Sequence, residues 1–207
     1  MTQTLNLPAI AEASVSTNPY PHFVVDQSIL TDKIAGVLQD FPAIDKGGSF
    51  PLDQLQYGPQ MNALVEELDS PEFRRLIEQK LDIDLTGRPM TVTARGYSRA
   101  KDGRIHTDSK SKLITVLIYL NEGWNAPTGR LRVLKNGQDM DDYVDEIPPT
   151  AGKLFAFKVT PDCWHGYPSF EGRRQSIQVN FVADEKAYSK HQTRHGFTAK
   201  IKSLFGK

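Results

Sequence analysis

From about residue 88 the apolar residues of this chain recur at every second position. They do so in five runs separated by turn-forming residues: "PMTVTARGYS", "KLITVLIYL", "GRLRVL", "GKLFAFKV" and "RQSIQVNFV". A period of two places alternate side chains on opposite faces of an extended chain, so each run is predicted as a strand. Upstream the period is different. "PHFVV" reads as a short strand, after which Ile29, Ile34, Val37, Leu38 and Phe41 fall at helical spacing. "MNALVEELDSPEFRRLIEQKL" predicts two further helical stretches, the second opened by Ser70 and Pro71. Helices followed by strands predict an α+β protein whose sheet closes into a small barrel or sandwich. The Gly- and Pro-rich "PAIDKGGSFPLDQLQYGPQ" is expected to be a loop of the lid or binding kind. "NGQDMDDYVDEIPP" is expected to be a solvated acidic loop.

Composition removes several classes of function. The chain has 207 residues, enough for one sizeable core, with 25 Lys plus Arg against 25 Asp plus Glu. That balance argues against a nucleic-acid partner bound by phosphate neutralisation. A single cysteine, Cys163, cannot form an internal disulfide, and the first residues lack a secretory pattern, so a reducing cytoplasm is the expected compartment. The longest apolar run, Leu113 to Leu120, is far shorter than the roughly 20 residues that cross a bilayer.

Chemistry concentrates at strand ends. His106 and Asp108 stand two residues apart just ahead of "KLITVLIYL", and His165 precedes the last strand, with Arg174 nine residues beyond it. Two histidines and one carboxylate can occupy one face of an octahedral metal and leave three positions open, the arrangement expected of non-haem Fe(II) oxygenases. His22, His191 and His195 lie outside this framework and are expected at the surface. Cys163 and Trp164 are expected to pack rather than ligate.

Strand parity adds a second site. Arg174, Ser176, Gln178 and Asn180 share one face of the last strand, while Ile177, Val179 and Phe181 share the other. In "KLITVLIYL" the set Leu113, Thr115, Leu117 and Tyr119 carries the polar handles, so Thr115, Leu117 and Tyr119 are candidates to line a pocket with Arg174. Two arrangements fit this pattern: the polar face in solvent, or a polar-lined pocket with helices covering the apolar face. Arg174 offers a planar fork for two carboxylate oxygens and Tyr119 a hydroxyl donor to the same group. Arg173 is the competing cation, but it falls on the apolar parity. Tyr97 and Arg95 are further candidates for the core, the rim or a substrate contact; Asn180, Gln178 and Arg132 stand behind them.

Taken together, "RGYS", "HTD", "TVLIYLNEGW", "GRLRVL", "AGKLFAFK", "WHGYPSFEGRR" and "QVNFVADEK", in this order over residues 88 to 186, resemble the 2-oxoglutarate and Fe(II)-dependent dioxygenases. Within them the likeness is to the prolyl 4-hydroxylase branch that includes the oxygen-sensing enzymes. The resemblance implies a double-stranded β-helix, a jelly-roll or cupin-like barrel with the N-terminal helices packed outside. It implies His106, Asp108 and His165 as metal ligands, Tyr119 and Arg174 on the distal carboxylate of 2-oxoglutarate, and Tyr97 lining the pocket. Asp108 points to hydroxylation, because related halogenases carry a small residue there. The implied cofactors are Fe(II), 2-oxoglutarate and O2, with ascorbate as an optional addition. The implied reaction hydroxylates an unactivated C–H of a small metabolite or a peptidyl proline and releases succinate and CO2. This chain departs from the branch in having Gly129 then Arg130 in place of paired glycines, and in the short "SKSK" after "HTD". A reading of another class is a non-catalytic barrel that keeps a metal, 2-oxoglutarate or sugar site as a sensor or binding module.

The expected organisation is a flexible leader over 1–18 and a single dioxygenase domain over 19–186, with helical support at 19–85 and a barrel core at 86–186. A basic amphipathic tail, 187–207, follows as a C-terminal helix that docks on the domain or meets an anionic membrane surface.

Overall fold

The computed structural model describes residues 3–189. Its elements in chain order are α1 (Leu7–Glu12), β1 (His22–Val25), α2 (Thr31–Gln39), β2 (Phe50–Pro51), α3 (Pro59–Leu68), α4 (Pro71–Leu81), β3 (Met90–Ser98), β4 (Lys112–Tyr119), β5 (Leu131–Leu134), β6 (Tyr143–Ile147), β7 (Leu154–Lys158), β8 (His165–Gly166) and β9 (Gly172–Val182). Helix α4 starts where the sequence places it: the Ser70 hydroxyl accepts the Phe73 N–H at 3.2 Å, and Pro71 occupies the first turn, where its missing N–H costs nothing.

The strands form two antiparallel sheets. Six run in the order β1-β7-β4-β9-β3-β2 and three in the order β6-β5-β8. Strand β4 sits between β7 and β9, so both of its edges are hydrogen-bonded, and both of its faces are covered as well. Alternation divides its side chains accordingly. Ile114, Val116, Ile118 and Leu120 join Ile177, Val179 and Phe181 of β9 in a cluster with Met61, Leu64, Phe73 and Ile77 of the helices. Leu117 and Tyr119 point the other way, into a smaller cluster with Phe155 and Phe157 of β7, Leu131 and Val133 of β5 and Ile147 of β6. Each fully buried Ile, Leu or Phe on the helix side contributes about 1.5–3 kcal/mol of transfer free energy, so this face is the main source of cohesion. The polar face of β9 is not in solvent: Arg174, Ser176 and Asn180 are all buried. This mixed α/β architecture fits a double-stranded β-helix.

Four expectations are corrected. Residues 3–18 are not a loose leader. Leu5 and Ile10 are fully buried, Thr4 and Leu5 donate N–H bonds to the Glu67 carboxylate at 2.7 and 2.8 Å, and the Asn6 side chain caps α1. A helix of six residues is too short to print a hydrophobic period, which is why composition alone misreads it. The acidic loop contains β6, which pairs with β5 from Leu131↔Ile147 to Leu134↔Tyr143; Arg132 pairs with Glu146 and with Asp141 across this hairpin. His22 is buried within β1, its Nδ1 2.7 Å from the Tyr20 carbonyl. The expected loop at 42–60 also carries β2 and a 3-10 turn over Leu52–Gln54. A helical turn begins at Asp184, whose carboxylate accepts the Ala187 N–H at 2.7 Å; residues 190–207, which hold most of the expected basic tail and both His191 and His195, lie outside the described residues. Among the described residues no helix is long and apolar enough to cross a membrane.

Candidate metal centre

A pair of backbone hydrogen bonds builds the centre. The His106 N–H donates to the His165 carbonyl and the His165 N–H to that of His106, both at 3.0 Å, which makes remote residues cross-strand neighbours. Their ring centroids are 4.3 Å apart. The same device fixes each ring: Nδ1 lies 2.8 Å from the carbonyl two residues earlier, that of Arg104 for His106 and of Cys163 for His165. With the proton on Nδ1, each Nε2 is left as a free lone pair, the orientation a metal ligand requires.

Asp108 completes the group, and one ligand atom from each of His106, Asp108 and His165 falls within 4.8 Å of the others. The Asp108 side chain is 8% exposed, with Oδ1 2.9 Å from Lys112 Nζ and Oδ2 accepting from the Thr115 hydroxyl. Burial pushes its carboxyl pKa up, but Lys112, His165 and the Thr115 hydrogen bond outweigh that and hold it at about 2. Burial, reinforced by His106, lowers His165 to about 4 against the opposing pull of Asp108. A neutral imidazole and an ionised carboxylate are the states from which ligands bind, so no proton need leave either group at neutral pH. Two imidazoles and one carboxylate on one side suit Fe(II) with open positions opposite. Buried Thr115, Asn180 and Thr91, with partly buried Gln178, extend the polar network behind Asp108: Thr115 Oγ1 is 3.1 Å from Asn180 Oδ1, which accepts from Gln178 Nε2 at 3.0 Å, and Asn180 Nδ2 is 3.4 Å from Thr91 Oγ1.

Arg174 and Tyr119 meet in the same interior. The Arg174 guanidinium carbon is 5.2 Å from the Tyr119 ring centroid, and its Nε donates to the Gly129 carbonyl at 2.8 Å. Arg174 Nη2 and Tyr119 Oη are both buried and have no hydrogen-bond partner. Burial raises the Tyr119 pKa, against the adjacent Arg174 charge, so the phenol keeps its proton and can donate. An orphaned cation edge beside an orphaned hydroxyl offers two donors of the kind that suit one carboxylate, since leaving buried donors unpaired is costly.

The remaining candidates separate. Thr115 supports Asp108, and Leu117 packs beside Tyr119 and Phe155. Arg173, at the start of β9, is exposed. Tyr97 pairs with Arg173 across a β-bulge and lines, with Trp124 and Phe41, an open cavity of about 1260 Å³. Cys163 is buried as packing, whereas Trp164 is only partly buried. Sequence reading missed three contributors. Lys112 reaches Asp108 across the short loop. Tyr20 comes from far upstream to donate to the Trp164 carbonyl at 3.1 Å, next to His165. Tyr167 lies over the Arg174 guanidinium. Only Lys112 left a signal, a cation four residues after Asp108.

With this geometry in view, comparisons with known proteins are specific. Residues 93–182 match the family model of the 2OG-Fe(II) oxygenase superfamily. No curated protein sequence matches. Among solved structures, a Pseudomonas putida prolyl-4-hydroxylase is 19% identical with a TM-score of 0.55, covering 86% of this chain and 97% of that one. A Trichoplax adhaerens prolyl hydroxylase, solved with a hypoxia inducible factor peptide fragment, is 17% identical with a TM-score of 0.57, covering 88% and 91%. A Phytophthora capsici prolyl 4-hydroxylase is 14% identical with a TM-score of 0.59, covering 89% and 68%. At these identities the structures show a shared fold. Residues 93–182 are thus similar to the 2OG-Fe(II) oxygenase superfamily, and the fold is shared with prolyl 4-hydroxylases.

Proposed function

We propose that this chain is a 2-oxoglutarate- and Fe(II)-dependent dioxygenase that acts as a hydroxylase: it inserts one oxygen atom of O2 into an unactivated C–H of a small metabolite or a prolyl residue. The observation that carries the reading is the pairing of a His106, Asp108 and His165 ligand set with a buried, unpartnered Arg174 and Tyr119. In this reading the three ligands hold Fe(II), and Arg174 Nη2 with Tyr119 Oη grips the far carboxylate of 2-oxoglutarate. Iron and 2-oxoglutarate, when bound, supply the oxidising power, with decarboxylation to succinate and CO2. The protein fixes both ends of the diacid, holds the ligand rings through Arg104 and Cys163 carbonyls, and lines the interior with Leu117, Phe155 and Phe157 to keep water out. We further propose that the two sheets close into a jelly-roll barrel with the helices outside.

The test begins with anaerobic loading of Fe(II) and 2-oxoglutarate. Oxygen is then admitted, with ascorbate, in the presence of metabolite and prolyl-peptide libraries. Succinate together with a product heavier by one oxygen is the expected result, and the library that yields it identifies the substrate class. His106→Ala and Asp108→Ala should each lower succinate formation at least about a hundredfold. Succinate formed at the parental rate by both variants, or 2-oxoglutarate bound but never turned over with any library, overturns the proposal.

A further inference from the structure

Arg174 is 5% exposed, and its Nη2 has no hydrogen-bond partner among the described residues. A buried guanidinium without a carboxylate has to be held by other means, and the structure supplies them on its faces. The Tyr167 ring centroid lies 4.1 Å from the guanidinium carbon and the Tyr119 centroid 5.2 Å from it. Guanidinium faces are weakly hydrated and stack on aromatic rings, while its N–H edges seek acceptors. With rings on its faces and Gly129 on Nε, the open direction is the Nη2 edge.

Tyr167 is itself locked in place. Its N–H donates to the Gly103 carbonyl at 2.8 Å, and its hydroxyl is 3.0 Å from Ser98 Oγ on β3. Gly103 has φ +83°, and a Cβ there would lie 2.5 Å from the Tyr167 ring, so the close approach depends on glycine. The same segment carries His165 two residues earlier. One stretch of backbone therefore places both a candidate ligand and the ring over the cation, which ties the distance between the two ends of the site to local chain geometry.

We propose that Tyr167 is a positioning residue that presents the Arg174 Nη2 edge to the far carboxylate of 2-oxoglutarate, an inference that rests on the reading of Arg174 above. The test uses the full chain loaded anaerobically with Fe(II). Two chelators are titrated separately by calorimetry: 2-oxoglutarate, and oxalate, which binds metal in the same bidentate way but has no far carboxylate. Tyr167→Leu should weaken 2-oxoglutarate about tenfold and leave oxalate within about twofold, the size expected of a desolvated cation–ring contact. Tyr167→Phe keeps the ring and should stay within about threefold of the parent. If Tyr167→Leu does not fold, Tyr167→Met, of similar volume but without a ring face, carries the same expectation. Parental affinity for 2-oxoglutarate in the Leu or Met variant overturns the proposal, as does an equal loss for oxalate, which marks a structural role. Arg174→Gln separates the two readings. If it binds 2-oxoglutarate as the parent does, the assignment of Arg174 falls and this inference with it. If it weakens binding while the Tyr167 variants do not, only this inference falls.

Discussion

The two faces of the six-stranded sheet are made by the same strands and differ in almost every physical respect. Toward the helices, Ile114, Val116, Ile118, Ile177, Val179 and Phe181 are fully buried among apolar partners. Toward the smaller sheet, the same strands bury Thr115, Arg174, Ser176 and Asn180, and Arg174 and Tyr119 keep polar atoms without partners. Stability comes from the first face and is spent on the second. A buried, unpaired guanidinium is unfavourable for the fold alone and makes sense as a receptor for charge brought by a ligand.

The largest effect should come from Arg174→Leu, which breaks this asymmetry. Removing a hydrogen-bonded cation from a desolvated pair should weaken 2-oxoglutarate binding at least about a hundredfold, read by anaerobic titration of the Fe(II)-loaded protein. The denaturant midpoint of the metal-free protein should hold or rise, because a buried charge is replaced by an apolar side chain. Its mirror is Ile177→Ala on the helix face. That change should cost about 2–5 kcal/mol in urea unfolding through lost burial and a residual cavity, and leave 2-oxoglutarate affinity within about twofold. A pair of variants that both lost binding and stability together would show that the faces are not separable.

Much of this contrast was legible in the sequence because a period of two is also a statement about faces. Once Arg174 and Ile177 are assigned to one strand, their opposite orientations follow. The convergence of His106 and His165 was legible only as a pattern of residue types; the backbone pairing that joins them runs through β8, two residues long, which leaves no periodic trace. Residues 3–18 and β6 were lost for related reasons. Leu5 precedes a six-residue helix and Ile10 lies within it, and β6 carries exposed Tyr143 and Val144 with acidic neighbours, so neither segment displays one apolar face. Tyr20 and Tyr167 act through contacts over long sequence distances or across a cation, for which local pattern holds no information.

As pH falls from neutral, acidity should act first on the polar face. In the metal-free protein His165 has its pKa lowered by burial to about 4, below the ordinary value of 6.5. The unfolded chain therefore takes up a proton before the folded one does, so this contribution is full above pH 6.5 and is lost as pH falls from 6.5 to 4. Its size is about 3 kcal/mol. Asp108 acts in the same direction at lower pH, between its ordinary 3.8 and about 2. Urea midpoints of the metal-free protein at pH 7 and pH 4.5 should drop further for the parent than for His165→Asn, which retains a donor for the Cys163 carbonyl. Equal drops would place the acid sensitivity elsewhere.

The smallest effect concerns Lys112, at the rim of the polar face, and it sharpens what that face is for. Its ammonium is 2.9 Å from Asp108 Oδ1 and largely buried, so it stabilises the carboxylate when no metal is bound. A divalent ion at the same carboxylate meets a positive charge next to it, and the two cations compete for one anion. Lys112→Met keeps most of the aliphatic stem and removes the charge, while Thr115 still holds Oδ2 in place. Competition titration against a chelator should show Fe(II) bound about tenfold more tightly, and unfolding of the metal-free protein should show a loss of about 1 kcal/mol. The opposite sign, weaker Fe(II) binding in Lys112→Met, would mean that the ammonium's main task is to aim Asp108 at the metal, and that orientation outweighs repulsion at this site.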